Sequence, residues 1–123
     1  MPGYLCLARC VAGLLLVPPC FAGATANDEE AVRAVVAAFD RAMNAKDVVA
    51  FANVFHVDAD FTNVVGVSAH GRKAIEEFHR LRFESDGTKG SSFKNAVLTV
   101  LGTRVRFIRP DVASVDVTWT QTG

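Results

Sequence analysis

Cysteine is absent from most of this sequence. All three cysteines, Cys6, Cys10 and Cys20, lie within the first 20 residues, and none follows them. A domain built from the later residues must therefore be held together by its packed core, without the disulfides on which many small exported domains depend. Thiol chemistry is excluded from that domain for the same reason.

An excess of charge of either sign is also absent. Thirteen Lys and Arg residues balance 13 Asp and Glu residues, which gives a formal net charge of zero. Proteins that bind nucleic acid or an anionic membrane surface carry clustered basic charge, so we expect neither partner. No glycine-rich phosphate loop and no nicotinamide or flavin fingerprint is found, and we predict no cofactor.

A long uninterrupted apolar run, which takes about 18 residues to span a bilayer, is missing too. The apolar stretch Val11–Val17 follows one basic residue, Arg9, and is closed by Pro18-Pro19. This order is typical of a secretory signal. We predict a signal peptide over residues 1–26 and a secreted or periplasmic protein with no stable membrane insertion after cleavage.

Two cleavage frames fit the small residues at the end of this signal. Cleavage can follow Ala24 or Ala26, of which Ala26 is preferred, and it removes every cysteine. The remaining residues, 27–123, have room for one small domain.

Helical periodicity dominates the first part of that domain. Asn27 and Glu30 have the spacing of a capping box. The first predicted helix follows them with an apolar stripe at Val32, Val35, Val36, Phe39 and Met43. Asp47 is the predicted N-cap of a shorter second helix, with Val48, Phe51, Ala52 and Phe55 on its apolar side. A third helix is predicted over Arg72–Phe83, with an apolar line at Ala74, Ile75, Phe78 and Leu81.

Strand patterns follow the helices, apart from one strand predicted at Phe61–Val65 and closed by a turn at Gly66. The tract from Ser85 to Ser92 has the composition of a loop. Two long strands, Phe93–Arg109 and Val112–Thr122, are joined by a turn at Pro110-Asp111. This order of elements favours an α+β fold.

The register of the two long strands follows from their apolar sides, which must coincide. Val105 then faces Val115, Phe107 faces Ala113, and Arg104 lies opposite Asp116. Gly102 interrupts the first of these strands and is a candidate bulge.

The residues that carry a family resemblance are spread over nearly all of the chain after the predicted signal. They are Asn44-Ala45-Lys46-Asp47, the segment from Phe55 to Asn63 with Gly66, His70-Gly71-Arg72, Ile75, Phe78-His79, and Val105-Arg106-Phe107 leading through Pro110-Asp111-Val112-Ala113 to Trp119. In these the sequence resembles the nuclear transport factor 2-like superfamily, and within it the SnoaL-like and SgcJ/EcaC-like small domains.

The resemblance implies a cone-shaped, cystatin-like α+β fold in which three N-terminal helices pack on a curved antiparallel sheet. It also implies further strands after the strand of Trp119, so the sheet predicted here is incomplete at the C-terminus and the domain at 27–123 is expected to be truncated. An open strand edge invites pairing, and we expect a homodimer through the sheet.

The same resemblance places a pocket between the helices and the concave side of the sheet. Four residues are the predicted ligand-binding set: Asn63, Phe39, Phe61 and Trp119. Asn63 and Phe39 stand where the ketosteroid isomerase branch has its catalytic aspartate and its tyrosine. Since an amide cannot abstract a proton and phenylalanine has no hydroxyl, that mechanism does not carry over.

Two titratable residues remain as catalytic candidates. His79 follows Ile75 by four residues, at the edge of the predicted buried stripe, where it could act as an acid or base or could bond to a nearby carbonyl as part of the core. Asp60 lies on the side of its strand opposite to Phe61, where it could be catalytic or simply solvated. No histidine or carboxylate pair shows the close helical spacing of a zinc site, and we predict no metal.

The sequence therefore predicts an exported domain that binds a small hydrophobic molecule in an apolar pocket. The alternative is a cofactor-independent lyase, isomerase or cyclase with His79 as its acid or base.

Overall fold

Three helices precede a long β-hairpin in the computed structural model, which describes residues 23–85 and 93–123. The elements are α1 (Ala26–Ala45), α2 (Val48–Asn53), β1 (Asp60–Thr62), β2 (Ser68–His70), α3 (Arg72–Glu84), β3 (Val97–Arg109) and β4 (Val112–Thr122). This arrangement confirms the predicted α+β class. Residues 1–22 of the predicted signal and residues 86–92 of the predicted loop lie outside the described residues.

Helix α1 begins two residues earlier than the sequence pattern suggests. Its N-cap is Thr25, whose hydroxyl accepts a hydrogen bond from the N–H of Asp28, while the Asp28 carboxylate accepts one from the N–H of Thr25. The predicted capping box at Asn27 and Glu30 is wrong, because both residues already lie within the helix. The two candidate pairs have the same spacing, and only the extended backbone of Thr25 distinguishes them.

The junction between α1 and α2 is held by polar side chains. Lys46 ends α1 in the left-handed conformation, with φ of 58°, and its ammonium group donates to the carbonyls of Met43 and Ala96. Asp47 then caps α2 by accepting from the N–H of Ala50 at 2.9 Å, as predicted. The turn therefore reverses the chain and ties the helices to the start of β3.

The core lies where α2 and α3 meet the end of α1. Phe51 of α2 is 1% exposed and packs against Ile75 and Phe83 of α3. Along α3 the buried residues are Ile75, His79 and Phe83, whereas Leu81, predicted to be on the apolar line, is 62% exposed. The buried stripe thus follows the spacing i, i+4, i+8 along one side of the helix.

Two antiparallel hairpins complete the fold. Strand β1 is shorter than predicted and pairs with β2, which the sequence pattern did not reveal. In the long hairpin Val105 faces Val115, Phe107 faces Ala113 and Arg104 lies opposite Asp116, so the predicted register is confirmed. The register shifts between Val100 and Gly102, as expected for a bulge that bends the strand.

Candidate ligand-binding cleft

An open cleft of about 510 Å³ lies between α1, the turn after α2 and one side of the β3–β4 hairpin. Every described residue that lines it has an apolar side chain: Val32, Val35, Val36, Phe39, Val54, Phe55, Phe61, Leu98, Val100, Ala113, Val115, Val117 and Trp119. The volume falls within the range of about 300–1,000 Å³ that is usual for small-molecule sites.

The helical repeat of α1 and the strand alternation of β4 explain which residues form the walls of the cleft. In α1 the helical repeat brings Val32, Val36 and Phe39 to one side. In β4 the alternation of a strand brings Val115, Val117 and Trp119 to the side that faces α1. Because the polar residues of β4 occupy the other side, no charged side chain enters the described lining.

Three of the four predicted ligand-binding residues come together in this cleft. Phe39 from α1, Phe61 from β1 and Trp119 from β4 all belong to its lining. Trp119 is 48% exposed, so its ring forms part of the mouth of the cleft. A half-exposed indole offers a flat apolar surface on which a ligand can stack.

The structure differs from the sequence expectation at Asn63. Its carboxamide oxygen accepts hydrogen bonds from the backbone N–H groups of Val65 and Val67, at 3.1 and 2.8 Å. Asn63 therefore holds the β1–β2 turn around Gly66, whose φ is 80°, and it is not part of the described lining. An asparagine that precedes a glycine turn commonly bonds to the local backbone in this way.

His79 lies at the centre of the buried stripe of α3 and not at its edge. It is 4% exposed, and its Nδ1–H donates to the carbonyl of Ile75 at 2.8 Å. The rings around the imidazole are those of Phe51, Phe61, Phe78 and Phe83. Burial lowers the pKa of His79 below its ordinary value, so the neutral ring is favoured. The cleft lining does not include it.

Asp60, the second catalytic candidate, faces solvent on the outer side of the β1–β2 hairpin. Its carboxylate lies 2.6 Å from Nδ1 of His70, and both side chains are largely exposed. The hydrogen bond and charge of Asp60 raise the pKa of His70. The structure thus separates Asp60 from His79 and places neither of them in the cleft.

Within residues 23–85 and 93–123, no group of three or more histidine or acidic side chains is arranged to hold a metal ion. None of the helices in these ranges is long and apolar enough to cross a membrane.

The lining residues that sequence reasoning left out of the site, such as Val36, Val115 and Val117, share a helix or strand side with Phe39 and Trp119. That shared periodicity is the signal that could have identified them.

Solved structures of other proteins share the fold of this chain. An uncharacterised protein with a cystatin-like fold from Caulobacter vibrioides is 28% identical, with a TM-score of 0.68 over 76% of this chain and 61% of its own. A domain of unknown function with a cystatin-like fold from Nostoc punctiforme is 29% identical, with a TM-score of 0.67 over 80% and 57%. This chain thus spans less than two thirds of the length of either protein.

A second protein of unknown function from Nostoc punctiforme, 15% identical, has a TM-score of 0.66 over 81% of this chain and 69% of its own, and it supports the cystatin-like fold alone. None of the curated proteins matches the chain. The family model of the SnoaL-like domain matches residues 24–122, which is most of the sequence and all of the lining described above. The chain therefore belongs to the SnoaL-like domain family.

Proposed function

We propose that this domain binds a small, predominantly apolar molecule in the cleft between α1 and the β3–β4 hairpin. The observation that carries the proposal is the composition of the lining, in which every described side chain is apolar. Burial of apolar ligand surface against these walls supplies the driving force, at about 25 cal/mol per Å². A neutral ligand is favoured, because a charged group would lose its hydration in the cleft and gain no partner.

The described lining supports binding and not turnover. General acid–base catalysis needs a titratable group within hydrogen-bond reach of the reacting atom. The titratable candidates lie elsewhere, His79 in the core and Asp60 on the outer surface. We therefore assign no catalytic step to the cleft.

Binding can be measured through Trp119, which is the only tryptophan of the chain. Titration with the neutral apolar fluorophore N-phenyl-1-naphthylamine should give saturable energy transfer from Trp119 to the bound probe. Val115→Glu places a carboxylate in the cleft and should weaken binding at least tenfold, which corresponds to a penalty of about 1.4 kcal/mol or more.

The matched control is Thr118→Glu, which adds the same charge on the opposite, exposed side of β4. This variant should bind the probe as the unmodified chain does. Equal affinity in all three proteins would place the probe outside the cleft and contradict the proposal.

We further propose that the domain acts after export, in the periplasm or outside the cell. The supporting feature is the order of Arg9, the apolar run Val11–Val17 and Pro18-Pro19. Of the two cleavage frames, the one after Ala24 is favoured, because it retains Thr25 as the N-cap of α1. Loss of a threonine cap costs about 1 kcal/mol.

The intact mass of the exported chain tests this choice. We expect a product that begins at Thr25. A product that begins at Asn27 would contradict cleavage after Ala24, and a full-length product in the exported fraction would contradict the signal itself.

A further inference from the structure

Two polar side chains of α1 bind the main chain of β3. The carboxamide of Asn44 accepts a hydrogen bond from the N–H of Leu98 at 2.8 Å and donates one to the carbonyl of Leu98 at 2.9 Å. Nearer the start of α1, the guanidinium of Arg33 donates to the carbonyl of Thr103 at 3.0 Å. Helix α1 is therefore attached to one strand of the hairpin at two points along its length.

The carboxamide of Asn44 pairs with Leu98 as a neighbouring strand would. A residue of an antiparallel strand offers one N–H and one carbonyl to its partner, and a side-chain amide offers the same donor and acceptor. The carboxylate of Asp40, one turn earlier in α1, also accepts from the Asn44 amide nitrogen, at 3.2 Å. Since a carboxylate can only accept, this contact fixes which end of the carboxamide carries the nitrogen. Asn44 thus binds both backbone groups of Leu98 in one orientation.

The residue that Asn44 holds belongs to the cleft. Leu98 is buried in the hydrophobic core beside Phe51, and its side chain also lines the cleft. Phe39 of α1 lines the cleft from the helix. Asn44 itself is not part of the described lining, so its hydrogen bonds join the α1 wall to the β3 wall directly behind a residue that a ligand would contact.

The apolar walls by themselves favour closure of the cleft. Val35 and Trp119 line it and are about half exposed, so movement of α1 toward β4 would remove apolar surface from water. The same movement would pull Asn44 away from Leu98 and leave the N–H and carbonyl of a buried residue without partners, which is unfavourable. The hydrogen bonds of Asn44 therefore oppose the closure that the lining favours.

We propose that Asn44 is a positioning residue of the cleft: its hold on Leu98 keeps the walls of α1 and β3 apart, so that the empty cleft stays open and admits broad ligands. This inference rests on the binding function proposed above. A preformed site loses less free energy on binding than one that must first be opened, and its width discriminates among ligands of equal polarity. Asn44 thus acts on the ligand through Leu98 and does not touch it.

Amide hydrogen exchange tests whether Asn44 holds Leu98 in solution. In the unmodified chain the amides of Leu98 and Thr99 should both be protected, the first by Asn44 and the second by Thr120 across the hairpin. In Asn44→Ala the Leu98 amide should exchange at least about tenfold faster, and continued protection of Thr99 shows that the variant is folded. Rapid exchange of Leu98 in the unmodified chain, with Thr99 protected, would overturn the proposal.

Two neutral ligands of different thickness test whether the separation of the walls governs binding. N-phenyl-1-naphthylamine is broad, whereas 1-decanol is a single slender chain whose affinity is measured by displacement of the probe. Asn44→Ala should weaken binding of the probe about tenfold and that of 1-decanol less than about twofold, because a narrowed cleft still admits one chain. Asn44→Asp still accepts from the N–H of Leu98 but cannot donate to its carbonyl, so it should change the two affinities in the same direction and by less.

Arg41→Ala is the matched control on α1, since Arg41 lies toward α2, beside Asp47 and Ala50. It should leave both affinities unchanged. A folded Asn44→Ala chain that binds both ligands like the unmodified chain, or that loses affinity for both in equal proportion, overturns the role of Asn44 and leaves the binding function standing. Failure of the unmodified chain to bind the probe overturns the binding function, and the role of Asn44 with it.

Discussion

Replacement of Phe51 by alanine should lower the free energy of unfolding by about 3–5 kcal/mol, the usual cost of truncating a buried phenylalanine. Phe51 of α2 is 1% exposed, and its ring contacts Phe39 of α1, Phe83 of α3 and Phe55 of the turn after α2. A cavity at this point therefore weakens every interface within the helical layer. Urea denaturation followed by circular dichroism measures the change.

Two further variants make the result interpretable in a small domain whose total stability is on the order of 5–15 kcal/mol. Phe51→Leu leaves a smaller cavity and should cost about 2 kcal/mol, which keeps the chain folded if Phe51→Ala unfolds it. Val64→Ala removes a side chain that is 99% exposed, so it should change stability by less than about 0.5 kcal/mol. Similar losses at Phe51 and Val64 would mean that Phe51 is not in the core.

His79→Ala should also destabilise the fold strongly, by about 2–5 kcal/mol, as for other large buried side chains. The pH dependence of stability is a more specific test of His79 than the size of this loss. Burial places the pKa of His79 in the folded chain below its ordinary value of 6.5, so the unfolded chain binds the proton more tightly. The contribution of His79 to stability is therefore complete above pH 6.5 and is lost as the pH falls below that value.

His79→Phe separates packing from titration. The ring contacts with Phe51 and Phe61 are retained in kind, and the carbonyl of Ile75 keeps its helical hydrogen bond, so we expect a small loss of stability at pH 7.5. The decline of stability between pH 6.5 and 5 should become shallower than in the unmodified chain. His70→Ala serves as the control, since Asp60 raises the pKa of His70 and the stability linked to that shift is lost as the pH rises, the opposite of the dependence expected for His79.

The same variants address the alternative role of His79 as an acid or base. A structural residue affects stability and leaves probe binding in the cleft intact whenever the chain is folded. If His79→Phe were fully stable and yet abolished turnover of a ligand that the unmodified chain converts, the catalytic hypothesis would be favoured over the structural one.

The parts of the fold that the sequence predicts are those governed by long, regular patterns. In β3 and β4 the side on which Val105, Phe107 and Val115 lie could be assigned from alternation, and the pairing of Arg104 with Asp116 followed from it. A slip of one residue would move every apolar side chain to the wrong side of the sheet, so burial strongly constrains the register. Helices α1 and α3 were predictable because their apolar residues also recur at a regular spacing.

Short elements and single side chains were less predictable because a short pattern fits more than one structure or role. Strand β2 has only three residues, and its pattern becomes a strand only through pairing with β1. His79 has the spacing of a core residue with Ile75 and Phe83, yet its chemistry also suggests catalysis, and no periodicity distinguishes the two. Asn63 was placed in the ligand-binding set, whereas its side chain holds the turn after β1.

The bend of the β3–β4 hairpin beside the cleft depends on one surplus residue in β3 and not on side-chain chemistry. Leu101 is the surplus residue between Val100 and Gly102, and its side chain is 62% exposed. Deleting Leu101 would leave Val100 paired with Trp119 and Thr103 paired with Val117, and would remove only the extra bend. The curvature of the hairpin can thus be changed in evolution or by design through one insertion or deletion, while Val115, Val117 and Trp119 keep their side of β4.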